Sequence, residues 1–221
     1  MAQILALGDC NTSGVSEFQG KAYPEEFSKS IGKTVQNCGF TMSTTREMQF
    51  FFNENISEET EIIMIQYGLV DSWKTFKYAP YVLYYPDSPM RKIARKIVKK
   101  YKKIAKNIGL NKHLGVLPVV SPEEYKENIV HILKASSNHI VFLIDTIPNQ
   151  DTSRNPAIVQ YNKILEQLAD KYSNVHYIDV YDDFIDKKEY YLDATHMNAE
   201  GYTVIARKLV SLYNKYDMKV C

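Results

Sequence analysis

Five short apolar runs separated by stretches of helical spacing constrain this chain most. Residues 3–7, 34–37, 61–66, 138–145 and 175–180 are brief and drawn largely from Ile, Val, Leu and Tyr. They are bounded by Gly, Asp, Asn or Pro. Such runs predict buried strands. Helical patterns fall between them, at about residues 17–31, 44–53, 122–135, 156–172 and 199–216. Ser121 before Pro122 and Asn155 before Pro156 predict helix starts, each a cap residue ahead of a first-turn proline. Strand–helix alternation predicts a parallel sheet covered on both faces. With five strands the expected class is α/β, a flavodoxin-like three-layer α/β/α sandwich. Ligands of such sheets bind beyond the carboxyl ends of the strands. That directs attention to residues 8–12, 38–41, 67–72 and 145–150.

Composition decides the broader class. Of 221 residues, 45% are hydrophobic and 24% charged, the balance of a soluble globular protein, here expected as one domain over residues 1–221. A formal net charge of +1 gives no global argument for nucleic acid. The first residues lack the basic, then apolar, then small-residue pattern of a secretory signal. No run reaches the roughly 18 apolar residues of a membrane span, and a cytoplasmic location is the expectation. The three cysteines, Cys10, Cys38 and Cys221, have no metal-ligand spacing and are expected to be free thiols. No metal or cofactor is expected.

Residues 73–115 break the alternation and are expected to form an inserted cap or arm after the third strand. The segment opens with an aromatic stretch, 73–86, whose tyrosines and Trp73 would suit sugar or acyl contacts. A helix candidate, 91–106, follows with nine Lys or Arg and no acid. The rest of the chain then carries 27 − 9 = 18 basic against 26 acidic residues, formally −8. Ile93, Ile97, Tyr101, Ile104 and Ile108 recur at helical spacing. That stripe is expected to pack on the domain beneath a solvated lysine face. A sharper reading is contact of residues 91–106 with an anionic membrane surface or polyanionic substrate. No nucleic-acid motif accompanies the charge, so no nucleic-acid partner is expected.

Two segments carry candidate chemistry. Gly8-Asp9-Cys10-Asn11-Thr12 follows the first run directly, where a strand-to-helix turn would expose a nucleophile above the sheet. The helix start there is expected to favour a thiolate at Cys10. Near the other end, Asp193 and His196 lie three residues apart before the last helix. A carboxylate so placed can fix the tautomer and orientation of a general-base imidazole. His113, His131, His139 and His176 read as loop, helix-surface or strand-edge residues. Ser13 reads as a helix-start residue, and Cys38 as packing, with a redox pair to Cys10 as the alternative.

A Gly-Asp-nucleophile-x-Thr turn after the first strand, with Asp-x-x-His before the last helix, resembles the first and last blocks of the SGNH, or GDSL, hydrolases. Asn37-Cys38-Gly39 is similar to the second block, and Gly68-Leu69-Val70-Asp71 to the third. Tyr161-Asn162 and the Pro148 loop also stand where the family leads one to expect them. The resemblance implies a catalytic Cys10, His196 and Asp193, with the backbone N–H groups of Cys10 and Gly39 as oxyanion donors. Asp9, Gly68 and Asp71 are implied to bind substrate or position loops. Two departures stand out: Cys10 replaces the family's serine, and Val70 replaces an asparagine that donates to the oxyanion. The implied activity is ester hydrolysis or O-acyl transfer on an acylated small molecule or glycan. The alternative is a binding module that keeps the fold without turnover.

Overall fold

The computed structural model describes residues 2–77 and 79–220. Its strands are β1 (Ile4–Gly8), β2 (Val35–Gly39), β3 (Ile62–Gln66), β4 (Lys74–Phe76), β5 (Val116–Pro118), β6 (Ile140–Ile144) and β7 (Val175–Ile178). Its helices are α1 (Cys10–Ser13), α2 (Tyr23–Ser30), α3 (Thr45–Asn55), α4 (Pro89–Asn107), α5 (Leu110–Leu114), α6 (Pro122–Ala135), α7 (Asn155–Ala169) and α8 (Ala199–Val220). Five strands pair in the order β2-β1-β3-β6-β7, all parallel. The expected α/β/α sandwich is therefore present.

Alternation along the central strands builds two cores. Leu5, Leu7, Ile63, Ile65, Val141 and Leu143 face one side, against Met48 and Phe51 of α3, Tyr125 and Ile129 of α6 and Leu165 of α7. Ile4, Ala6, Ile62, Met64, Phe142 and Ile144 face the other, against Tyr23 and Phe27 of α2 and Tyr202, Ile205 and Leu209 of α8. Each such side chain, when fully buried, contributes on the order of 1.5–3 kcal/mol.

Local chemistry sets the helix ends. Thr44 caps α3 through a capping box, its N–H donating to Glu47 Oε2 at 2.9 Å. Ser121 caps α6 as expected, accepting from Glu124 N–H at 3.2 Å. Asn155 does not cap α7: Arg154 holds that place, and the Asn155 carboxamide instead accepts from Asn149 N–H at 2.8 Å. The helix expected over 17–31 forms only from Tyr23, after a 3₁₀ turn at Ser16–Phe18 and the positive-φ Gly20.

Residues 73–118 leave the sheet. β4 and β5 pair antiparallel in a separate two-stranded sheet, and α4 with α5 spans the distance between them. The apolar stripe of α4 does not pack on the body as expected. Only Ala105 is buried, while Ile93, Ile97, Tyr101, Ile104 and Ile108 are exposed. Among the described residues no helix is long and apolar enough to cross a membrane.

Two glycines fix how closely α1 sits on the strand ends. A Cβ on Gly8 would lie 1.9 Å from Thr12 Oγ1 and 2.7 Å from the Gln66 carbonyl. On Gly39 it would lie 2.3 Å from Ser13 N. Since that neighbour is backbone, Gly39→Ala is expected to cost about 1–3 kcal/mol of stability. Urea unfolding of the variant beside wild type checks this, and an unchanged midpoint would contradict it.

Candidate active site

The turn carrying Cys10 is built from the strand end upward. Asp9 caps α1, its carboxylate accepting from Asn11 N–H at 3.0 Å. Asp9 and Cys10 are both buried. Ser13 Oγ bonds the carbonyls of Cys10 and Gly14; it ends α1 rather than starting a helix as expected. The Asn37 carboxamide clamps the turn from β2, its Nδ2 donating to the Thr12 carbonyl at 2.8 Å. Its Oδ1 accepts from Gly39 N–H at 2.9 Å. The Gly39 amide is thus bonded to Asn37, and the position also requires the absence of a side chain beneath α1. Val70, also buried, offers no side-chain donor.

The Asp193–His196 pair forms as the sequence suggested. Asp193 Oδ2 lies 2.7 Å from His196 Nδ1. Its Oδ1 accepts from Thr195 N–H at 2.7 Å and His196 N–H at 2.8 Å. Although partial burial works the other way, these bonds hold the Asp193 carboxyl below its ordinary value. Asn11 ties this loop to the Cys10 turn from both sides of His196. Its Nδ2 donates to the Thr195 carbonyl at 3.2 Å, and its Oδ1 accepts from Met197 N–H at 3.4 Å. The loop at 148–150 braces the same segment, through Gln150 N–H to the Ala194 carbonyl at 2.9 Å and Asn149 Nδ2 to Thr195 Oγ1 at 3.1 Å. The Cys10 turn and the loop of Asp193 and His196 thus meet at one end of the sheet.

Electrostatics around Cys10 differ from the expectation. Burial pushes its thiol well above the ordinary cysteine value, and the charges of Asp9 and Asp193 add to the rise. A four-residue helix start does not outweigh them, so the resting group is a thiol. Buried carboxyls cluster at the strand ends. Burial raises Asp9 to about 7, Asp71 to about 6 and Asp145 to about 7. Asp71 positions a loop, accepting from the N–H and hydroxyl of Thr45 at 2.9 and 2.7 Å. Gly68 has φ 134°, and a Cβ there would meet Thr146 Oγ1 at 2.7 Å. Asn162 pins that same loop by a two-way bond with the Thr146 backbone, 2.9 Å each way. Cys38 packs in the core with Met48 and Phe51, whereas Cys10 packs with Leu69 and Ile158. Cys221 lies outside the described residues.

Leu69 and Ile158 also line a cleft of about 270 Å³, with Ser72, Trp73, Lys74, Ser153 and Arg154 among its other walls. The Arg154 guanidinium sits 5.1 Å from the centre of the Trp73 ring. Sequence reasoning placed Trp73 near a site and held Asn11 and Asp145 within strand-end segments without giving either a role, and it passed over Arg154. Asn11 lay inside the motif, yet nothing local distinguishes a loop asparagine from one bonded 184 positions away. Among the described residues, no three His, Cys, Asp or Glu side chains are grouped to hold a metal ion.

Residues 6–204 match the GDSL-like Lipase/Acylhydrolase family. The chain belongs to that family. Solved structures of the same fold include a lipolytic protein of the G-D-S-L family from Veillonella parvula DSM 2008, at TM-score 0.63 and 16% identity, covering 96% of this chain and 97% of that one. A catalytic mutant of Axe2, an acetylxylan esterase from Geobacillus stearothermophilus, matches at TM-score 0.62 and 16% identity, with 95% and 93% covered. A phospholipase A1 from Streptomyces albidoflavus NA297 matches at 0.60 and 15%, with 96% and 98% covered. No curated protein matches the sequence. Membership of this family supports ester hydrolysis as the class of activity.

The buried carboxyls make stability depend on pH. Asp145 accepts from Val180 and Tyr181 N–H at 2.8 and 3.2 Å and from the Tyr177 hydroxyl at 3.1 Å. Its folded pKa of about 7 exceeds the ordinary 3.8. From pH 4 to about 7 the unfolded chain therefore ionises first, and the contribution to stability falls as pH rises. Asp145→Asn is expected to flatten that fall, read as the difference in urea midpoint between pH 5 and 7.5 for variant and wild type. Parallel pH profiles would refute the assignment.

Proposed function

We propose that this GDSL-family chain cleaves acyl esters of small molecules or glycans through Cys10, with His196 as general base and Asp193 as its orienting carboxylate. What carries the reading is the Asp193–His196 pair, 2.7 Å apart, on a loop tethered to the Cys10 turn by Asn11. His196 takes the thiol proton as sulfur attacks the carbonyl carbon, since the resting thiol is not ionised. The backbone N–H of Cys10 is the oxyanion donor of this scheme. Collapse breaks the C–O bond, and His196 returns the proton to the departing alcohol. Water, or a second hydroxyl in the transferase version, then attacks the thioester and regenerates the thiol.

A second reading, a binding module without turnover, draws on the engaged Gly39 amide and the donor-free Val70. Loss of one oxyanion donor costs on the order of 10²–10³ in rate. The two readings separate on intact mass after exposure to activated acetyl and longer acyl esters. One acyl adduct is expected on wild type, absent from Cys10→Ala and slowed about 10²–10⁴-fold in His196→Ala. Adduct decay in water marks a hydrolase, and decay only with added sugar a transferase. Silence from folded wild type and from Cys10→Ser would favour the binding module.

Lys74 and Arg154 at the cleft support an ester that carries a negative charge near its acyl group. Arg154→Ala is expected to raise KM for such an ester about tenfold while leaving kcat within about twofold, in line with a lost charged contact of roughly 1.4 kcal/mol. Equal effects on a neutral ester would remove the charge preference.

A further inference from the structure

We infer that α4 is an interfacial helix that docks this protein on an anionic lipid bilayer. At about 100° per residue, Met90, Ile93, Ile97, Tyr101, Ile104 and Ile108 fall within an arc of about 80°. Tyr101 is 46% exposed and the other five at least half exposed. The body is met through a different face, where Ala105 is buried and Ala94 and Val98 are half-buried. The stripe is therefore not a core face awaiting its own domain. Leu114, Val116 and Leu117, at the far end of the same excursion, extend the exposed apolar surface.

Charge selects the occupant. By the same count the nine Lys and Arg of residues 91–106 fill the half of the helix opposite the stripe and reach its edge at Lys100, with no acid in that span. Asp87, before the helix, pairs with Lys92 and Arg95, and most of the remaining cations are exposed. A basic arc next to an apolar stripe matches a headgroup layer over acyl chains. A polymeric anion such as RNA would use the lysines and leave the isoleucines in water. Stripe-to-stripe packing of two copies would set like charges against each other. The formal −8 of the remaining chain would be repelled by the same surface, so α4 would meet the bilayer with the body held away. The inference is independent of the chemistry assigned to Cys10.

The test is flotation of the full chain with vesicles of phosphatidylcholine alone or with phosphatidylglycerol, together with light scattering. Wild type is expected to bind the anionic vesicles at least about tenfold more tightly and to release them in high salt. Ile93→Glu with Ile97→Glu is expected to abolish binding. Lys96→Glu, Lys100→Glu and Lys103→Glu together are expected to weaken it about 100-fold or more. Circular dichroism of both variants should stay that of wild type, because every altered residue is exposed. No binding by wild type, or equal binding to both vesicles, overturns the proposal. So does a wild-type dimer that the isoleucine variant splits while no vesicle binds. Retention on RNA unaffected by the isoleucine changes, without vesicle binding, overturns it as well.

Discussion

The closeness of α1 to the sheet governs the rest of the site. The Thr12 side chain and the Gln66 carbonyl lie where a side chain of Gly8 would have to be, and backbone atoms of residues 12 and 13 where one of Gly39 would. Only with both positions bare can the chain turn sharply off β1 and lay Cys10 over the strand ends. The clamp from Asn37 and the cap from Asp9 then hold that turn without any long helix behind it. This closeness has an electrostatic consequence. A group pressed onto the sheet loses water, and Cys10 loses it in the company of buried carboxyls, so its proton is held rather than released. A thiol held this way would need a base to act as a nucleophile, in the manner of a serine more than of an ion-paired thiolate.

The sheet and most of its helices were legible because burial on both faces imposes continuous apolar strands, and their alternation with helices admits few topologies. Boundaries moved where side-chain chemistry competes with pattern. Residues 17–22 look helical but give way to a 3₁₀ turn, and Asn155 bonds back to Asn149 instead of opening its helix. Near the site, the Asp193–His196 contact was readable because a spacing of three residues on one loop reflects local geometry. The bonding of Gly39 was not, because glycine marks both an available amide and a close contact, and the sequence carries no sign of which applies. Asn11 and Arg154 act through partners far along the chain. Met42, with φ 69° on the loop after β2, holds a strained conformation that nothing in its identity announces.

The misjudged stripe of α4 is instructive. Periodicity reports that one face of a helix is apolar, not what covers it. The usual inference, that the face meets the protein's own core, fails when small residues such as Ala94 and Ala105 make that contact instead. The structure resolves the ambiguity because exposure can be assigned residue by residue around the helix.

Asn11 spans 184 positions to reach Thr195 and 186 to reach Met197. A ribosome therefore makes the Cys10 turn more than 180 residues ahead of its partner loop. Over that interval the growing chain carries the Cys10 thiol without the His196 imidazole. The two segments meet only when the later one closes over the turn, so a chain stopped ahead of residue 193 would keep the five-stranded sheet and lack the Asp193–His196 pair.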